Sequence, residues 1–147
     1  MANSVLTNRT GQFWPLGFIK VPTAGTPVCI MSVVDANNTN APGNQTNTLS
    51  DEYPWVVRGL AVNGWKPNAN NNGLQVNSGN VYILAQGNGS QNRADFGVYI
   101  GVVVPGGSYF LPEGPTGMSL INPYGIFLDT DNNNDGAMVT AYAGVNP

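Results

Sequence analysis

The chain has 147 residues, 41% of them hydrophobic and only 9% charged, with five basic against eight acidic side chains and a net charge of −3. The basic residues Arg9, Lys20, Arg58, Lys66 and Arg93 are scattered, which argues against a phosphate-tracking surface and so against a nucleic-acid partner. There is no histidine to serve as base, metal ligand or pH switch, and the single Cys29 excludes an internal disulfide framework and a cysteine-rich zinc site.

Neutral polarity takes the place of charge, with 21 Asn, 19 Gly and 11 Pro along the chain. The longest run free of all three is Val28 to Ala36, and it is rich in β-branched residues. Gly and Pro cost about 1 and 3 kcal/mol inside a helix, so helix is expected to be nearly absent. Residues 1–10 read as an N-terminal arm without the apolar run of a secretory signal. Strands are expected at 11–21 and 27–35. Residues 37–53 form a polar excursion ending at Tyr53, too long for an ordinary loop. A strand at 54–62 follows. Residues 63–80, with Pro67 and the Asn70-Asn71-Asn72-Gly73 turn, read as a second long loop without strands. Strands at 80–86 and 96–104 are expected to be buried on both faces. Pro105-Gly106-Gly107 reads as a tight turn into a strand at 107–111. Strands at 124–130 and 136–143 close the chain; in the last, Met138, Thr140 and Tyr142 alternate with Val139, Ala141 and Ala143, so one of its faces can be wet. The expectation is one all-β domain over 1–147: an antiparallel β-sandwich, jelly-roll-like or a partly open barrel, of about eight strands with two long Asn-rich loops. No apolar stretch is long enough for a membrane-spanning helix.

The sharpest local motif is Asp129-Thr-Asp131-Asn-Asn133-Asn-Asp135-Gly136. Oxygen ligands at alternate positions before a Gly turn suit a hard cation such as Ca²⁺. The position where an EF-hand loop needs a bidentate Glu is Tyr142, and both flanks read as strands, so a solvent-exposed hairpin tip of Asx-turns is the favoured reading. Asp129, Asp131 and Asp135 stay the metal candidates, and no other cofactor is expected. The two glutamates, Glu52 and Glu113, lie in loop-like sequence and do not suggest a glycosidase pair. Without histidine nothing is placed to activate Ser or Cys29, which sits among Val28, Ile30 and Met31 as a buried thiol; no enzyme is expected. Gly87-Asn-Gly89-Ser-Gln-Asn92 lacks the third glycine and the Lys of a phosphate loop. Trp14 and Trp55 fall in strand-like runs and read as core. Trp65, in the second loop, is the candidate anchor for a partner, with Tyr53 and Asn71 as further contacts.

From Phe18 to Tyr142 the order of features resembles small structural proteins of tailed-phage virions. Ile19-Lys-Val-Pro-Thr-Ala-Gly-Thr-Pro-Val28 is similar to the opening strand and turn of that group. Val76-Asn-Ser-Gly-Asn-Val-Tyr-Ile83 and Val104-Pro-Gly-Gly-Ser-Tyr109 look like its inner strand and its turn. Ile126-Phe-Leu-Asp-Thr-Asp131 and Asp135-Gly-Ala-Met-Val139 look like its closing hairpin with an acidic tip. The two Asn-rich loops depart from the compact pattern. The resemblance implies an all-β capsid decoration or head auxiliary protein, a homo-oligomer with a trimer as first choice. Its partner would be the major capsid protein or another virion subunit, and its place the capsid surface. A glycan- or receptor-binding module of a head fibre or tail is the alternative, with Trp65 as the stacking residue.

Overall fold

The computed structural model describes residues 13–31, 59–87, 91–111, 121 and 123–142. The N-terminal arm, the 37–53 loop with Tyr53, and Trp55 lie outside the described residues. The described residues form ten strands in order: β1 (Phe13–Lys20), β2 (Val28–Cys29), β3 (Gly59–Asn63), β4 (Trp65–Pro67), β5 (Leu74–Val76), β6 (Val81–Ala85), β7 (Val98–Val103), β8 (Ser108–Leu111), β9 (Phe127–Thr130) and β10 (Gly136–Tyr142). Helix is limited, among the described residues, to two short 3₁₀ turns at Arg93–Asp95 and Pro123–Gly125.

Among the described residues all strand pairings are antiparallel. One four-stranded sheet runs β1-β10-β3-β8, a second runs β2-β9-β6-β7, and β4 and β5 form a two-stranded sheet; none of the described sheets closes into a barrel. The period of two along a strand decides the core. On β10, Ala137, Val139 and Ala141 are buried while Met138, Thr140 and Tyr142 are half-buried on the other face, as the sequence pattern predicts. Leu16, Ile19, Leu60, Val62, Leu111 and Val139 from the first sheet meet Val81, Ile83, Val103 and Leu128 from the second in one apolar cluster. Tyr109 closes this core between the two edge strands β7 and β8. Its ring packs where a Cβ at Gly101 would lie, and its hydroxyl donates to the Ile100 carbonyl at 3.1 Å. The far face of the second sheet holds a smaller cluster. There Leu84 and Phe127 are covered by Phe96, edge-to-face with Phe127 at 5.0 Å, and Cys29 packs half-buried against them.

The structure changes four sequence expectations. The loop expected at 63–80 contains a β-hairpin, β4–β5, that the density of Asn, Gly and Pro conceals. The strand expected at 27–35 is regular only at Val28–Cys29, with Ile30 and Met31 in a turn and 32–35 outside the described residues. The strand at 96–104 is not buried on both faces: β7 is an edge strand, with Tyr99 and Val102 exposed. Finally, β9 and β10 are not a hairpin. They lie in different sheets, so the acidic turn between them carries the chain from one layer to the other. The Pro105-Gly106-Gly107 turn is as expected: Gly107 N–H donates to the Val104 carbonyl at 2.8 Å, and Gly106 takes the positive φ of +74° that a type II turn demands of its third residue.

Candidate functional site

The corner between β9 and β10 gathers segments from all along the chain. Asp135 is fully buried. Its Oδ1 accepts from the Lys66 ammonium at 2.5 Å, and its Oδ2 accepts from the Ser78 backbone N–H, the Ser78 hydroxyl and the Gly79 N–H at 2.9–3.0 Å. Beside it the buried Asn77 amide donates to the Gly136 carbonyl and accepts from the Gly136 N–H, as a strand partner would. Asp131 accepts from the Asn80 N–H at 3.0 Å and from the Tyr82 hydroxyl at 2.8 Å. The Asn77-Ser78-Gly79-Asn80-Val81-Tyr82 strand and the acidic turn, two separate motifs in sequence, are therefore the two halves of one clasp.

Asp129 is also fully buried; its Oδ1 accepts from the Gly25 N–H at 2.8 Å and its Oδ2 lies 3.3 Å from Arg93 Nε. The Arg93 guanidinium rests over the Tyr82 ring, 4.1 Å from its centroid, and reaches Asp131 at 3.8 Å. The expected exposed tip of three crowding carboxylates is thus corrected. Two of the three are interior, and they are divided between two cations, Lys66 and Arg93. Among the described residues no three acidic or Cys side chains come together as a metal cage. Burial pushes the Asp135 carboxyl up, but hydrogen bonds from Lys66, Ser78 and Gly79 and the Lys66 charge outweigh it and hold the group below 3.8. Two glycines make the clasp sterically feasible. A Cβ at Gly136 would lie 2.0 Å from the Ile19 carbonyl oxygen, and one at Gly79 would meet Asn132 Nδ2 at 2.6 Å. Asn134 adopts φ +66°, the left-handed conformation that Asn tolerates.

Lys66 also fixes the β4–β5 arm. Its register pairs Trp65 with Val76 and Pro67 with Leu74, so these four side chains share one face while Lys66 and Gln75 share the other. Lys66 turns inward to Asp135; the apolar face is left to solvent, with Leu74 54% and Val76 46% exposed. Trp65 is half-buried and lines an open groove of about 370 Å³ with Leu74, Asn63 and Met138, between the arm and the outer face of the first sheet. Asn71 sits exposed at the arm's tip, where its Oδ1 is spent on the Gly73 N–H at 2.8 Å, so it shapes the turn. The structure brings Trp65 to a surface site and leaves Asn71 at the far end of the same arm.

Sequence reasoning missed the rest of the apolar surface. Tyr99, Val102, Val104 and Phe110 are each about half exposed, all within β7, β8 and the turn joining them. Val76 and Val104 both lie against the Gly106-Gly107 turn, which brings the arm and the β7–β8 corner together on one side. The signal was available: no charged residue occurs from Phe96 to Pro112. Comparison with family models, characterised proteins and solved structures finds no match to this chain.

Proposed function

We propose that this chain is a non-enzymatic virion structural protein. In this reading it is a jelly-roll-like β-sandwich that decorates a tailed-phage capsid as a homo-oligomer, bound to the major capsid protein or another virion subunit and stabilising the lattice. The observation that carries the docking role is the arm: an apolar face of Trp65, Pro67, Leu74 and Val76, held out to solvent by a side chain anchored in the interior. Exposed apolar faces rimmed by neutral polar groups mark protein contacts. The phage assignment is supported by the resemblance of the strand and turn motifs, and the near-absence of charge lets identical copies crowd without repulsion.

The test is to strip the protein from purified particles and re-add it. Binding should be nearly unchanged up to about 1 M salt, where charge interactions are screened beyond about 3 Å. Trp65→Ala should weaken it by about 2 kcal/mol or more, the cost of truncating a central anchor. Release by moderate salt, or full binding by Trp65→Ala, overturns the docking surface. The groove also favours one second reading, because Trp65 stands beside the Asn63 amide in an open cleft, as sugar-stacking sites require. Retention on a glycan surface, lost in Trp65→Ala and absent from particles, would establish that alternative.

A further inference from the structure

The two four-stranded sheets have four edges among the described residues, and three are blunted. β1 carries Pro15, a register shift between Pro15 and Gly17, and Lys20 at its end; β2 is two residues long; β8 is four. Charge, proline, bulges and shortness are the devices by which natural edges avoid pairing. β7 has few of them. It runs six residues, Val98 to Val103, without charge or proline, and no strand lies on its other side among the described residues. Its one irregularity is the bulge at Ile100, and that carbonyl is already capped by the Tyr109 hydroxyl. Tyr99, Val102 and the adjoining Val104 are 52%, 48% and 58% exposed.

We infer that β7 is the pairing edge for a second copy of this chain, the two strands meeting antiparallel about a two-fold axis to join their second sheets into one. The free backbone groups of an edge call for another strand as occupant. Charge selects a copy of the same strand. Antiparallel pairing brings the start of β7, beside Arg93 and Asp95, against the uncharged Pro105-to-Ser108 turn of its mate, so no like charges meet despite the net charge of −3. The inference is separate from lattice docking, which uses the β4–β5 arm.

The test is sedimentation velocity of the purified full-length chain up to about 100 μM. A dimer is expected. Val102→Lys, which puts a charge on the pairing edge, should raise the dissociation constant about a hundredfold or more. Leu74→Lys, on the arm, should leave the dimer intact. Val104→Lys serves as the second edge variant should Val102→Lys lose its circular dichroism spectrum. Backbone amides of 98–104 should gain hydrogen-exchange protection with concentration in the parent and in Leu74→Lys alone. A monomer throughout, a trimer, open-ended aggregates, or dissociation by Leu74→Lys and not by the edge variants would overturn the inference. Particle binding by Trp65→Ala is scored independently, so failure of either idea is visible by itself.

Discussion

Asp135 is a buried acid whose charge is kept by its partners. Replacing it with Asn would leave the Lys66 ammonium, only about a fifth exposed, without a counter-charge. Breaking one side of such a pair costs about 3 kcal/mol, so Asp135→Asn should lose about that much in urea unfolding at neutral pH. The pH dependence has a definite sign. Because the folded carboxyl titrates below 3.8, its contribution is complete above that value and is lost as pH falls through the folded pKa. The stability difference between the parent and Asp135→Asn should therefore be flat from neutral pH to about 4 and shrink below it. A difference that grows on acidification would contradict this. The glycines give a graded comparison. Gly136→Ala sets a Cβ against backbone that cannot move without parting β1 from β10, whereas Gly79→Ala meets side-chain atoms of the turn, Asn132 Nδ2 at 2.6 Å and Asp131 Cβ at 2.8 Å. Thermal melts should show Gly136→Ala as severely destabilised and Gly79→Ala as clearly milder.

The strands themselves were largely legible, because β-branched runs between Gly, Pro and Asn have little alternative to a strand. β4 and β5 were not. Each is three residues long, Pro67 ends one of them, and the Asn68-to-Gly73 turn looks like any polar loop. What makes them an element is the inward pull on Lys66, a contact 69 residues away in sequence. Local pattern carries no trace of such a contact. The same distance hid the burial of Asp129 and Asp135: an Asp-and-Asn-rich turn reads as exposed unless its donors at Gly25, Ser78, Gly79 and Arg93 are known to be neighbours. Lys66→Met tests the arm as a unit. It keeps the stem's apolar contacts and removes the tether, so hydrogen exchange of 65–76 should accelerate about tenfold or more relative to β3 and β10. Uniform acceleration through the whole chain would mean that the tether holds the fold and not the arm.

At the scale of the whole molecule, polar and apolar features are sorted by region. Of the described charges, Lys66, Arg93, Asp129, Asp131 and Asp135 collect around the β9–β10 corner, while β7, β8 and the arm's outward face carry no charge. The sequence showed both ingredients, an acidic motif and a long uncharged stretch, but not that one would be turned inward and the other outward. That inversion is why two carboxylates of the acidic turn, the most conspicuous motif in the chain, are engaged by interior partners, and why the plainest segment, Phe96 to Pro112, carries much of the exposed apolar surface.

The clasp also has a place in time. Its hydrogen bonds span 49 to 104 residues of sequence, and those of Asp135 and Asn77 form only once the start of β10, in the first sheet, meets the segment that leads into β6 in the second. Closing such long loops is what makes β proteins fold in milliseconds to seconds rather than microseconds. Until that moment the Asp135 carboxylate stays hydrated, and its desolvation belongs to the last step of assembly. An interaction made after the rate-limiting barrier does not speed folding; it slows escape from the folded state. Asp135→Asn should accordingly leave the refolding limb of the chevron nearly unmoved and raise the unfolding rate about a hundredfold, the kinetic equivalent of roughly 3 kcal/mol. If refolding slows by that factor instead, the corner forms early and nucleates the two sheets. Otherwise it acts as a latch, closing after the chain has folded and setting how long each copy persists once it is in place.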